Sequence, residues 1–413
     1  MQLIDLNVQQ ARIRKKIDGN IKAVLASGRF VMGPGVTALE ERLARYAEVK
    51  HAVACASGGE AMRLALMVHG VAAGDAVFTS PFSYIAAAEV IACLGATPVL
   101  VDIDPATFTL SPEQLDRAAG TLQWAHPHLT PAGVVATGLF GLPADHDAVR
   151  AVAERHGLFV IEDATQSFGA AYKGRPAGSL ADIACTSFAP AMPLGCYGDG
   201  GMCFTDDDRL AAALASLCAR GRQEQAEGRV SSGIDGRLDP LQAAVLHAKL
   251  DVFPQEMKLR RLIADYYDAL LHAQRAVGSL RVPEDRRSAW AQYPLLAGHA
   301  GLRAEIVMRL AERGITAAGY APPRVPLPAT IPPGLDPEVL PVSADFAARI
   351  FTIPMHPYLD TAQQERVGAA IRQILARTAA GPFNPIRAHP SPTPPSPARE
   401  TQNEMEGKDI VSF

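Results

Sequence analysis

Cys185-Thr186-Ser187-Phe188-Ala189-Pro190-Ala191-Met192-Pro193-Leu194-Gly195-Cys196-Tyr197-Gly198-Asp199-Gly200-Gly201 starts inside one short apolar run and ends just before another. Residues 183–187 and 202–205 read as strands, and the glycine-rich turn at 198–201 leads into the second. Met192 stands in the loop between them. Its thioether has no ionisable proton and no nucleophilic nitrogen, so it can neither bond a carbonyl carbon nor shuttle a proton.

Outward from this loop, short apolar runs alternate with helical patterns. Residues 51–56, 76–79, 97–101, 134–137 and 158–161 read as strands, and 59–69, 84–94 and 145–156 as helices. That alternation predicts a mostly parallel sheet with helices on both faces. The pattern over 238–273 is helical and long. Beyond it, 292–296, 304–313 and 315–318 alternate again, and 361–376 forms a last helix. The expected organisation is a large α/β domain over 1–240 with N-terminal helices, a connecting helix over 241–275, and a smaller α/β domain over 276–379. A proline cluster, 321–341, is expected as a loop. Residues 380–413, with a proline-rich run at 388–397, bury little and are expected to form a disordered or loosely packed tail.

With 413 residues the chain can bury a large core. A formal net charge of -4 gives no polyanion-binding surface, which sets nucleic acid aside as a partner. Residues 1–20 mix Asp5 and Asp18 with basic residues and lack the apolar run of a signal peptide. The longest apolar stretch, 85–103, contains Glu89, Gly95 and Pro98 and reads as a helix followed by a strand, not as a membrane span. Six cysteines without a C-x-x-C pair fit reduced thiols in a cytosolic protein and no metal site.

The quoted run resembles the segment of DegT/DnrJ/StrS-type sugar aminotransferases that carries the lysine bound to pyridoxal phosphate (PLP), roughly S-F-x-x-S/T-K-x-L-G-x-x-G-D-G-G, with Met192 at the lysine position. The resemblance extends over residues 4–376. Gly236-Arg237-Leu238-Asp239, Leu241-Gln242-Ala243-Ala244, Ala291-Gln292-Tyr293 and Pro354-Met355-His356-Pro357-Tyr358 are similar to phrases of members that act on UDP-linked 3-oxo-glucuronate-type sugars. It implies a fold-type I PLP-transferase (aspartate aminotransferase-like) architecture, a homodimer, and a nucleotide-linked or otherwise anionic sugar as ligand.

By the same resemblance, Asp163 pairs with the pyridine nitrogen of PLP, Tyr84 stacks on its ring, and Ser57, Gly58, Gly59, Gln166 and Ser187 lie around it. On residue type alone Asp163 also suits a turn cap, Tyr84 a core aromatic, and Ser57-Gly58-Gly59 a plain turn. His356, Arg237 and Tyr320 are the substrate-side candidates. Arg220, Arg222, Arg229 and Arg237 suit either an anionic ligand or a solvated basic loop. Other positions depart from the family pattern. Gly59 lacks a hydroxyl, Gly138 and Leu142 stand in place of His and Gln, and Asp235 replaces an asparagine that, by the resemblance, reaches the cofactor phosphate across the dimer interface. Two unit charges ~4 Å apart at an effective dielectric of ~20 interact by about 4 kcal/mol, so that carboxylate is expected to weaken cofactor binding. Lys249 reads as an ordinary mid-helix lysine, at a position where the resembled family has a lysine as well, and Lys173 as part of an exposed turn.

Three functions are consistent with these residues. One is a redirected enzyme using PLP-independent chemistry, with PLP absent or weakly and noncovalently held. Another is a non-catalytic partner of an active paralogue. A third is a PLP transaminase with an unrecognised amine.

Overall fold

A computed structural model of the chain describes residues 1–82, 87–219, 233–272, 274, 276–319 and 340–377. Tyr84, Tyr320, Arg220, Arg222, Arg229 and the 380–413 tail lie outside the described residues, as does most of the 321–341 proline cluster.

After helices α1 (Asn7–Ser27) and α2 (Pro34–Ala47), the chain enters β1 (His51–Cys55), α3 (Gly58–Val68) and β2 (Asp75–Thr79). It continues through α4 (Ala87–Cys93), β3 (Thr97–Leu100), α5 (Pro112–Ala125), β4 (Thr130–Thr137), α6 (His146–His156) and β5 (Phe159–Asp163). The short β6 (Ala171–Tyr172) and β7 (Arg175–Pro176) precede β8 (Ile183–Ser187), β9 (Gly201–Thr205) and α7 (Asp208–Cys218). Seven strands form one sheet in the order β1-β9-β8-β5-β4-β2-β3. β3, β2, β4, β5 and β8 run parallel, and β9 is antiparallel to both neighbours. β8 and β9 are buried at every position, as strands covered by helices on both faces must be. This is the expected fold-type I α/β architecture.

Local chemistry sets the helix boundaries. Asp145 caps α6 by accepting from the Ala148 N–H, and Gly157 ends it in the left-handed conformation (φ 67°). Asp207 caps α7 in the same way.

The long α8 (Pro240–Leu271) packs against α1 and leads to β10 (Val277–Ser279), β11 (Arg286–Arg287) and β12 (Tyr293–Ala297). Then come α9 (Ala300–Glu312), β13 (Ala318–Gly319), α10 (Pro341–Arg349), β14 (Ile350–Ile353) and α11 (Thr361–Arg377). A four-stranded antiparallel sheet, β10-β12-β14-β13, carries the second core. The first residues of the chain belong to this part, because Met355 N–H donates to the Leu3 carbonyl and Thr316 N–H to that of Met1.

Two expectations need correction here. Residues 315–318 were expected to form a strand, but pairing begins only at Ala318, where β14 supplies a neighbour. Pro341 does not close a loop; it opens α10 at the first helical position, where its missing N–H leaves no bond unmade.

Candidate functional site

The parallel strands converge on one edge of the large sheet, and their carboxyl ends carry polar residues. Thr79 ends β2, Thr137 ends β4, Asp163 ends β5 and Ser187 ends β8. Crevices at such an edge are where open α/β sheets bind ligands. Beside it, Ser57 caps α3 by accepting from the Glu60 N–H at 3.1 Å, and Gly58 and Gly59 form the first helical positions. A helix N-terminus of this kind presents free N–H groups and a partial positive charge to an anion. Gly201 makes this approach possible, since a Cβ there would lie 2.2 Å from the Ser57 carbonyl oxygen.

Asp163 is buried, and one carboxylate oxygen, Oδ1, accepts from the Thr165 N–H at 3.1 Å. Its other oxygen, Oδ2, has no hydrogen-bond partner. Thr79 Oγ1, Thr137 Oγ1, Gln166 Nε2 and Ser167 Oγ are also buried without one. Buried polar atoms in folded proteins are nearly always paired, so such a group at one sheet edge marks a seat for a polar ligand. Burial pushes the Asp163 carboxyl above its ordinary range, opposed by the Thr165 N–H that donates to Oδ1 and by the polar Thr137 hydroxyl nearby. A cationic N–H against Oδ2 would draw it back to the ionised form. Gln166 is held from its other end, with Oε1 accepting from the Phe140 N–H at 2.6 Å.

Met192 sits in a tight turn, its N–H donating to the Ala189 carbonyl at 2.9 Å, and is 6% exposed. Gly195 lets the loop fold onto itself, for a Cβ there would meet the Ala189 carbonyl oxygen at 2.5 Å. Met192 lines a small recess together with Asp5, Gln9, Lys249, Arg260, His356 and Tyr358. His356 is buried, its Nδ1 has no partner, and burial with Arg260 nearby lowers its pKa to about 4.

The remaining sequence candidates fall as follows. Ser57, Gly58, Gly59, Asp163, Gln166 and Ser187 gather at the sheet edge or the adjoining helix start, while Met192 and His356 share the recess. Arg237 is largely buried and forms an ion pair with Asp235, so Asp235 does not present an uncompensated carboxylate. Gly138 leaves no space for a larger side chain, because a Cβ there would lie 2.3 Å from Ser167 Oγ. Leu142 is fully buried in the apolar cluster that includes Phe108, Leu139 and Phe140. Lys173 pairs with Asp147 at 2.7 Å on the surface, which raises its pKa. Lys249 differs from the sequence expectation: it is 1% exposed and shares the recess with Met192.

Arg260, Thr79 and Thr137 were not singled out from sequence. A signal for Arg260 existed, since Lys249, Phe253, Glu256 and Arg260 follow helical spacing on the buried face of α8. Among the described residues no cluster of His, Cys, Asp or Glu could hold a metal ion, and no helix is long and apolar enough to cross a membrane.

The sequence profile of the DegT/DnrJ/EryC1/StrS aminotransferase family matches residues 11–372. The UDP-2-acetamido-2-deoxy-3-oxo-D-glucuronate aminotransferase of Pseudomonas aeruginosa is 42% identical over 376 residues, which is 90% of this chain and 99% of that protein. A DegT DnrJ EryC1 StrS aminotransferase from Brucella abortus superposes with a TM-score of 0.85 at 39% identity, covering 91% of this chain and all of that one (100%). Bacillus subtilis NtdA, solved with bound cofactor PMP, superposes with a TM-score of 0.80 at 25% identity, covering 91% of this chain and 83% of its own.

Proposed function

Because this chain belongs to the DegT/DnrJ/EryC1/StrS aminotransferase family, whose members are PLP-dependent nucleotide-sugar aminotransferases, we propose that it acts on a nucleotide-linked or similarly anionic sugar without the lysine-anchored cofactor of its relatives. One observation carries this reading: the side chain at the anchoring position is the thioether of Met192. A thioether forms no covalent bond to a pyridoxal carbonyl.

The residues that would hold PLP noncovalently are nevertheless present. The unpartnered Oδ2 of Asp163 fits a protonated pyridine nitrogen, and the α3 N-terminus with Ser57 and Ser187 fits a phosphate. When bound, PLP supplies an electron sink for charge that develops next to a substrate nitrogen. In this chain Asp163 would hold the pyridine proton, and the α3 N-terminus with Ser187 would orient the phosphate. No general base stands at that residue, a loss that typically costs 10²–10⁴-fold in acid–base steps. The proposed chemistry therefore does not depend on a lysine at 192, with PLP loosely held or absent. The cytosol is the compartment that fits its free thiols.

The protein is proposed to act as a homodimer. Leu25, Phe30, Val31 and Met32 are each at least half exposed near the junction of α1 and α2, and a run of exposed apolar side chains favours a protein partner. The same surface supports a second reading, in which the partner is a lysine-bearing paralogue and this subunit is non-catalytic. Gel filtration of the protein alone separates the two: about twice the monomer mass supports the homodimer, and a monomer that pairs only with a co-expressed paralogue supports the second.

The cofactor reading is tested by adding PLP, dialysing, and reducing with borohydride. The expected protein is colourless after dialysis, with no pyridoxyl group on any lysine. A yellow protein with a reduced pyridoxyl-lysine would overturn it.

A further inference from the structure

Lys258 and Arg261 of α8 and Arg286 and Arg287 of β11 line one cleft of about 630 Å³, against only two carboxylates, Asp265 and Asp268. The chain as a whole carries a net charge of -4, so this excess of cations is local. Two of the six groups are already engaged. Arg286 pairs with Asp145 at 3.0 Å, and Asp268 accepts from the Tyr293 hydroxyl at 2.5 Å. Among the described residues Lys258, Arg261 and Arg287 form no ion pair and no side-chain hydrogen bond, and Asp265 forms no ion pair.

The two free guanidiniums come from different elements and face the same space. Like charges brought together in this way repel, and the repulsion is relieved only by an anion between them. Burial, and then the charge of Arg287, hold the Arg261 pKa below its ordinary range. Tyr46 of α2 joins them: burial raises its pKa to about 12 against the pull of Arg287 and Arg261, so its hydroxyl stands in the field of both.

We propose that this cleft binds a diphosphate group between Arg261 and Arg287, with Lys258 and the Tyr46 hydroxyl as further donors. A guanidinium presents a planar fork of N–H groups that matches two phosphate oxygens, and two such forks with an ammonium suit two phosphoryl groups better than one carboxylate. The space is ample for that group. Leu262, 64% exposed, and Val282 line the same cleft and give an organic substituent an apolar surface to lie on. The cleft shares no residue with the Asp163 seat or with the recess beside Met192, so the inference goes beyond the function proposed above.

Inorganic pyrophosphate is the probe, titrated into the whole chain by calorimetry at low salt. Saturable binding of one ion per chain is expected. Arg287→Gln should weaken it about tenfold, and Arg261→Gln in the same chain about tenfold more, the size of one charge-assisted contact each. Pyrophosphate should also raise the Tm of the wild type and leave that of the double variant unchanged. If the double variant does not fold, Arg287→Gln decides alone, since Arg287 is exposed. UDP in place of pyrophosphate separates the sources of the group. Tighter binding that the variants lose assigns an esterified diphosphate, and equal binding the free ion. The absence of saturable binding, or full affinity in the variants, would overturn the inference and leave the cofactor reading intact. Excess PLP should leave the pyrophosphate titration unchanged, because its phosphate belongs at the α3 N-terminus. Competition between the two would place the ion there and overturn the inference.

Discussion

Arg237 donates to the carboxylate of Asp235, two residues away, and the pair has no net charge. By family resemblance alone, that carboxylate stands against a cofactor phosphate. Pairing reduces the repulsion and also occupies a guanidinium that would suit an anion. Asp235→Asn is therefore expected to tighten noncovalent PLP binding by a few-fold, in line with the roughly 0.2–1 kcal/mol typical of partly exposed pairs. Equilibrium dialysis of both proteins measures it. Unchanged or weaker binding would show that Arg237 does not face the phosphate.

Met192→Lys should retain PLP through dialysis and gain visible absorbance, since it supplies the missing amine beside an intact Asp163 seat. Turnover should stay low, because Gly138 and Leu142 still offer no polar contact. A single-turnover assay with an amino donor reads this out. Substantial turnover from that one change would mean that positions 138 and 142 matter little.

Gly138→Ala is expected to destabilise the fold by about 1–3 kcal/mol, as overpacking of a filled interior does. The added Cβ would sit 2.3 Å from Ser167 Oγ and 2.6 Å from its Cβ. Ser167→Gly should recover most of the loss in the double variant. Urea denaturation of the four proteins in the cycle gives the coupling. Additive effects would indicate that the two side chains do not meet.

Glu162 supplies a pH-dependent term. It is fully buried, and burial raises its pKa from 4.5 to about 7, against the Leu180 and Gly178 N–H groups that donate to it. A carboxyl whose folded pKa is raised contributes stability that is fully present below the unfolded value. That stability is lost as pH rises through the folded value. The contribution is about 3 kcal/mol, lost between pH 4.5 and about 7. Glu162→Gln cannot titrate and gives up one backbone bond. The stability gap between wild type and variant should therefore narrow as pH rises across that window. A gap independent of pH would show that Glu162 is ionised throughout.

Much of the fold was legible because it rests on local signals. Short apolar runs between turns gave β1, β2, β8 and β9, and Asp145 and Gly157 bracket α6 as capping chemistry requires. β14 was less legible, because Ile350–Ile353 follows α10 directly, without the turn residues that separate strands from helices elsewhere. In the site, Asp163 and Ser57 stood out because strand ends and helix starts have their own residue signatures. Thr79 and Thr137 did not, since threonine at a strand end is common for reasons of backbone preference alone.

The sequence by itself determined the succession of strands and helices, the glycine-rich turn that precedes β9, and the absence of an amine at residue 192. These are properties of residue type and short-range spacing, and they hold wherever the rest of the chain goes. Only the tertiary structure decided which distant residues share a surface. It seats Ser167 against Gly138, neutralises Asp235 with Arg237, and brings Lys249 and Arg260 of α8 beside Met192 and His356. The reason is geometric. Helical periodicity says which face of α8 is buried, but what that face meets depends on packing against α1, the first residues of the chain and the β8–β9 loop.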